Sequence, residues 1–278
     1  MSRARVYVTE AVILRRADYG EADRLLTLMT PQLGKVRVIA KGARKITSRK
    51  AGHIELFARV RLLLARGRTF DIVNQAEVIE AHRPLREDLL RGGYAHYVGE
   101  LIDQFTQEGN EDPALYDLLA NGLMWICETP QPALAARYFE MRLLTIAGYR
   151  PQLFHCARTN AILEVDQLAG SPADAGSLRS LPDTAFSLAD GGVLCAKAAA
   201  GARELVRLAP GALALLRALQ TGTLDQMMAM ADDFSDQALH QAERAMRQYL
   251  SYVLERGLRS TRFIAEIERG QESGVRSQ

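Results

Sequence analysis

The stretch from Gly34 to Lys50 most constrains what this chain can become. Val36, Val38 and Ala40 fall on one face of a strand, and Lys35, Arg37 and Lys41 on the other. Gly42 breaks the strand. Arg44, Lys45, Arg49 and Lys50 follow on a polar loop. No Asp or Glu occurs between Asp23 and Glu55, a window that holds eight basic residues. A cationic strand face with a cationic loop suits a polyanion, because each neutralised phosphate releases condensed counterions. Any solvated hairpin loop can carry Lys and Arg. The missing acids favour nucleic acid here and single out Lys35, Arg37, Lys41, Arg44, Lys45, Arg49 and Lys50 as the candidate DNA-binding set.

The charge of the whole chain hides this asymmetry. Residues 1–80 carry sixteen Lys and Arg against eight Asp and Glu, while the other 198 residues carry nineteen against twenty-five. A basic module is joined to a mildly acidic body, which suggests nucleic acid at one end and scaffold or protein contacts at the other. No apolar run approaches the roughly 18 residues that span a bilayer, so no membrane partner is implied. The N-terminus shows no apolar signal core behind its charges, and a cytoplasmic location is expected. Cys127, Cys156 and Cys195 are an odd set without framework spacing, in keeping with a reducing compartment.

Residues 5–80 read as five short strands: Val6–Arg15, Asp23–Met29, Lys35–Lys41, Phe57–Ala65 and Thr69–Ile79. One longer loop, 42–54, interrupts them. This suits a small Greek-key barrel, either an OB-fold or an SH3-like barrel. Bases of single strands stack on aromatic rings. The module offers Tyr7, Tyr19, Phe57 and Phe70, of which Tyr19 lies in a turn while Phe57 and Phe70 are expected in the core. After Pro84 the apolar period lengthens to that of a helix. Leu85, Leu89, Leu90, Tyr94, Tyr97, Leu101, Ile102 and Phe105 trace one long helix ending near Gly109, and Pro113 and Pro132 open two more. Residues 151–200 are rich in small and polar residues and show no sustained period. Helices resume after Pro210, with Ser235 the expected N-cap of the last long one. Residues 269–278 form a polar tail.

No catalytic constellation is present. The five histidines do not cluster, and no Walker-type loop, Gly-x-Ser-x-Gly or His-Glu-x-x-His occurs. The acids Glu21 and Asp23 suit a turn or an ion pair better than a metal. No cofactor is implied.

Several segments resemble the RecO family of bacterial recombination mediators. They are Tyr19-Gly20-Glu21-Ala22-Asp23-Arg24-Leu25-Leu26-Thr27-Leu28, Gly34-Lys35-Val36, Ala40-Lys41-Gly42-Ala43-Arg44-Lys45 and Ser48-Arg49. Glu140-Met141-Arg142-Leu143-Leu144 with Gly148 and Pro151, and Gly257-Leu258-Arg259-Ser260, extend the likeness. It implies an α+β multidomain chain. An N-terminal OB-fold barrel (1–80) is followed by an α-helical bundle (81–150 and 201–268), a degenerate zinc-ribbon-like insertion (151–200) and a flexible tail (269–278). It also implies a DNA repair mediator rather than an enzyme, which binds single- and double-stranded DNA, anneals complementary strands and assists recombinase loading in the nucleoid. Its partners would be RecR and the C-terminal tail of single-stranded DNA-binding protein. Arg142, Arg244, Arg247 and Arg256 are possible rim charges for that tail and equally ordinary helix-surface arginines. The ribbon's two Cys-x-x-Cys pairs would fall at Cys156 to Thr159 and Cys195 to Ala198. Each has lost its second cysteine, so no metal is expected. A separate reading of the same charge is a non-catalytic adaptor for structured RNA or an acidic protein.

Overall fold

The computed structural model describes residues 5–48, 50–163, 184–255, 257–261, 263–264 and 266–267. Arg49, Arg256, the 164–183 part of the insertion and the 269–278 tail lie outside the described residues. The chain divides into two compact units, Met1–Pro132 with Leu258–Gln278, and Ala133–Gly257.

The first unit is built on five strands: β1 (Val6–Tyr19), β2 (Asp23–Thr30), β3 (Gly34–Ala40), β4 (Arg59–Ala65) and β5 (Asp71–Glu80). They close into a barrel in the order β1-β2-β3-β5-β4. Every pairing is antiparallel except β3 with β5. This is the arrangement of an OB-fold, and it resolves the choice that alternation alone left open. β1 runs four residues past its expected end at Arg15. A register shift between Ile13 and Arg15 bends it, so that its first half pairs with β4 and its second with β2.

Alternation fixes which side chains fill the barrel. Ile13, Leu26, Leu28, Val60, Leu62, Leu64 and Val73 are fully buried, with Val38 and Ala40 beside them. Arg61 stays exposed on the outer face of β4. The β3–β4 connection serves two purposes. Its second half carries the buried residues Ile54, Phe57 and Ala58. Its first half, after the buried Ala43, runs exposed from Arg44 to Thr47.

Helices α1 (Pro84–Glu87), α2 (Leu89–Phe105) and α3 (Pro113–Glu128) complete this unit with the segment after Leu258. The single helix expected from Leu85 to near Gly109 ends at Phe105 and is broken at Asp88. That residue is extended, and its carboxylate accepts the N–H of Leu90 and Arg91 as the N-cap of α2. The apolar stripe continues across the break, which is why periodicity alone does not show it.

Gly99 on α2 faces Phe57. A Cβ there would lie 2.8 Å from Phe57 Cε1, and Phe57 is held by burial, by a φ of +61° and by an edge-to-face contact with His96. In an open helix, Gly→Ala would stabilise by about 1 kcal/mol. Here overpacking dominates, and Gly99→Ala is expected to lower stability by about 1–3 kcal/mol in denaturant unfolding.

The second unit holds α4 (Pro132–Ile146), β6 (Thr184–Ser187), β7 (Gly192–Leu194), α5 (Ala196–Ala199), β8 (Leu205–Leu208), α6 (Pro210–Thr221), α7 (Leu224–Ala229) and α8 (Asp236–Val253). The three strands form one sheet in the order β7-β6-β8. Ser235 caps α8 by accepting the N–H of Ala238 at 3.3 Å. Arg142 donates to the carbonyls of Leu219 and Gly222 at 3.2 and 2.7 Å, satisfying the open C-terminal end of α6. Its guanidinium is therefore a structural cap rather than a rim charge. No described helix is long and apolar enough to cross a membrane.

Candidate nucleic-acid interface

The basic strand and loop do not stand as a uniform cationic face, because the fold brings acids to them from elsewhere in the chain. Lys35 is almost fully buried. Its Nζ donates to the Asp103 carbonyl at 2.7 Å, the Asp103 carboxylate at 3.0 Å and the Thr106 carbonyl at 2.8 Å. An ammonium has three protons to give, and all three are engaged. Lys35 therefore belongs to the joint between β3 and the end of α2, and its ammonium is not presented at the surface as the strand pattern alone suggested. Gly34 supports the same joint. Its φ of +63° and the closeness of the Asn110 carbonyl leave no room for a side chain.

Arg37 keeps its outward position but is paired. Its Nε lies 2.8 Å from Glu108, and a second nitrogen donates to the other oxygen of that carboxylate at 3.2 Å. Arg44 lies 3.3 Å from Asp18 and donates to the carbonyls of Gly20 and Glu21, while its backbone N–H binds the Ala22 carbonyl at 2.9 Å. It pins the start of the loop to the β1–β2 turn. Asp23 holds the same corner by accepting the Gly42 N–H at 2.7 Å. Lys50 is half-buried and donates to the Val73 carbonyl at 2.9 Å. Lys41 and Lys45 differ from all of these. Both are exposed, and neither has an ion pair among the described residues. They are the cations that a phosphate could reach without displacing a partner.

An aromatic surface begins at the β1–β2 turn to which Arg44 holds the loop. Phe70, expected in the core, is only half-buried. Tyr19 meets it edge to face at 6.3 Å, and the Arg37 guanidinium lies 5.5 Å from its ring centre. Tyr19 itself is 44% exposed. Sequence reading found Tyr19 through its place beside a Gly turn. It missed Phe70, although Gly67-Arg68-Thr69 before that residue marks a turn of the same kind. Tyr7 is otherwise occupied. Its hydroxyl donates to Asp71 at 2.5 Å and Arg66 covers its ring, while burial and Asp71 together push its phenol well above the usual range. Phe57 is core, as expected.

In the second unit, the two surviving cysteines of the insertion come together. The N–H of Cys195 donates to Cys156 Sγ at 3.3 Å, and the Thr159 hydroxyl lies 3.8 Å from Cys195 Sγ. Burial pushes the Cys156 thiol up. The Thr159 hydroxyl and the N–H groups of Cys195, Thr159 and Arg158 outweigh it and bring the thiol down to about 6. The turn thus gathers hydrogen-bond donors around the Cys156 sulfur. The donors do not fit a structural zinc, since Ala198 offers no ligand atom and two thiols with a hydroxyl do not complete a tetrahedral site. Among the described residues, no group of three or more His, Cys, Asp or Glu is placed to hold a metal.

Comparison with known proteins agrees with this architecture. The family described as Recombination protein O N terminal matches residues 1–82, and Recombination protein O C terminal matches residues 86–262. A DNA repair protein RecO from Roseiflexus sp. (strain RS-1) is 38% identical over 265 residues, covering 95% of this chain and 87% of the relative. One from Pelotomaculum thermopropionicum is 35% identical over 260 residues, covering 94% of each. One from Dehalococcoides mccartyi (strain ATCC BAA-2266 / KCTC 15142 / 195) is 30% identical over 269 residues, covering 97% of this chain and 99% of the relative. With both halves matched and relatives aligned along nearly their whole length, the chain belongs to the RecO family.

Proposed function

We propose that this protein is a non-catalytic mediator of DNA repair and recombination that holds single- and double-stranded DNA on its barrel and anneals complementary strands. The observation that carries this reading is the placement of Lys41 and Lys45. They are exposed and unpaired among the described residues, on a loop that Arg44 pins beside the Tyr19–Phe70–Arg37 surface. Lys41 and Lys45 contact phosphates first. Arg44 and Arg37 exchange their carboxylate partners for phosphate or orient the loop, and Arg49 and Lys50 extend the path. Lys35 takes no part. Tyr19 and Phe70 offer stacking at about 1–3 kcal/mol per base, tolerant of sequence. Neutralising two backbones at one surface lowers the repulsion between complementary strands and lets them pair, with no bond made or broken.

Family membership extends the proposal to recombinase loading on DNA coated by single-strand-binding protein, with RecR and the tail of that protein as partners, in the nucleoid.

The test is oligonucleotide binding followed by fluorescence anisotropy, across lengths and salt concentrations. Affinity that rises with length and falls steeply with salt is the expected result. Length-independent binding of a single structured RNA or acidic protein at fixed stoichiometry would replace this reading with an adaptor.

A further inference from the structure

Ile46 has no folding role that its surroundings explain. It is wholly exposed, at 106% of the reference area for an isoleucine, while the rest of the barrel's isoleucines are buried or half-buried. It sits in the exposed half of the β3–β4 connection. There the Lys45 N–H binds the Gly42 carbonyl at 3.1 Å and the Ser48 N–H binds the Lys45 carbonyl at 2.9 Å. Ile46 and Thr47 are thus the corner residues of a hydrogen-bonded turn. A β-branched apolar residue is a poor choice for such a corner, where Gly, Pro, Asn, Asp and Ser serve better. Around it in sequence stand Lys41, Arg44 and Lys45, with no acid from Arg24 to Ile54.

We propose that Ile46 is a wedge that enters between neighbouring bases of DNA whose backbone the flanking cations hold. The inference rests on the DNA-binding reading above and adds to it a second kind of contact. The turn holds Ile46 outward in the exposed half of the connection, and the contacts of Arg44 with the β1–β2 turn keep the start of the loop in place, so the insertion is made by a preformed element. Exposed cations beside an exposed apolar residue suit a nucleic-acid strand, which offers phosphates to the one and base faces to the other. Apolar side chains inserted at a base step unstack it. Unstacked bases are what a second strand must find to begin pairing, so the wedge prepares the held strand for annealing.

The experiment uses the full chain, a single strand carrying 2-aminopurine at an internal step, and a dye-labelled copy for anisotropy. 2-Aminopurine brightens when unstacked. Wild type at saturation is expected to raise its emission by about twofold or more, and Ile46→Ser to lose at least half of that rise. The affinity of Ile46→Ser should change less than about threefold, and its salt slope should stay as in wild type, because the phosphate contacts are intact. Ile46→Leu should restore the rise. Since Ile46 is exposed, neither change should move the unfolding midpoint. Equal brightening by wild type and Ile46→Ser, or binding without brightening by either, would overturn the wedge while leaving DNA binding in place. No anisotropy change with wild type would overturn both readings.

Discussion

Alanine at Lys41, Arg44 and Lys45 together is expected to weaken binding of a single-stranded oligonucleotide by about 30- to 100-fold at low salt, and to flatten the dependence of log affinity on log salt by about 2. The slope is the sharper readout, because each phosphate contact on a single strand contributes about 0.7 to it. Arg44 has a second role, since its guanidinium also donates to the Gly20 and Glu21 carbonyls and pairs with Asp18, while its backbone bond to the Ala22 carbonyl survives in alanine. Its removal leaves Asp18 near the path with its charge uncompensated. The Lys41/Lys45 double alanine separates charge from stapling, and should account for most of the slope change while leaving the loop pinned. An unchanged slope in the triple variant would place the DNA elsewhere.

The second large effect falls on stability. Lys35→Met should lower the free energy of unfolding by about 2–4 kcal/mol, because a buried ammonium that satisfies three acceptors is removed and two carbonyls are left without it. Asp103 retains Arg15 as a charge partner, which limits the loss. Lys41→Met, at the exposed turn that follows the same strand, should stay within about 0.5 kcal/mol by the same denaturant measurement. The pair inverts for DNA, where Lys41→Met weakens binding and Lys35→Met, at temperatures where it is folded, does not. Equal stability of the two variants would contradict the role given to Lys35.

Lys35 also shows where reading the sequence stops. Strand alternation placed it correctly on the face opposite Val36 and Val38. It could not show that the outer face of β3 is covered at that end by residues 103–110, which carry Asp103 and Glu108. Charge counting within the Arg24–Ile54 window failed for the same reason, since the acids that pair Lys35, Arg37 and Arg44 come from Asp103, Glu108 and Asp18. The barrel itself was legible, because a closed sheet has an inside and an outside, and a period of two reports the difference directly. Its choice over an SH3-like barrel was not legible in the alternation and came from the family resemblance alone, because that choice lies in the parallel pairing of β3 with β5, a contact between strands distant in the chain. The helix break at Asp88 was visible in principle as an N-cap before Leu89, but a continuous apolar stripe masked it. Phe70 was misplaced because burial statistics describe phenylalanine on average, and this one follows a turn. That Cys156 and Cys195 would fall close together was implied by the family resemblance. That the surviving turn still gathers N–H groups around Cys156 was not, since backbone geometry leaves no mark on side-chain identity.

The most direct test of the central claim is annealing of two complementary labelled oligonucleotides coated with single-strand-binding protein, followed by energy transfer at low and moderate salt. Wild type is expected to speed annealing, and the Lys41/Arg44/Lys45 triple alanine to return the rate close to that without protein while keeping its fold. Equal annealing by both proteins would contradict the site. No acceleration by wild type, with DNA binding retained, would contradict the annealing role and leave a DNA-binding adaptor.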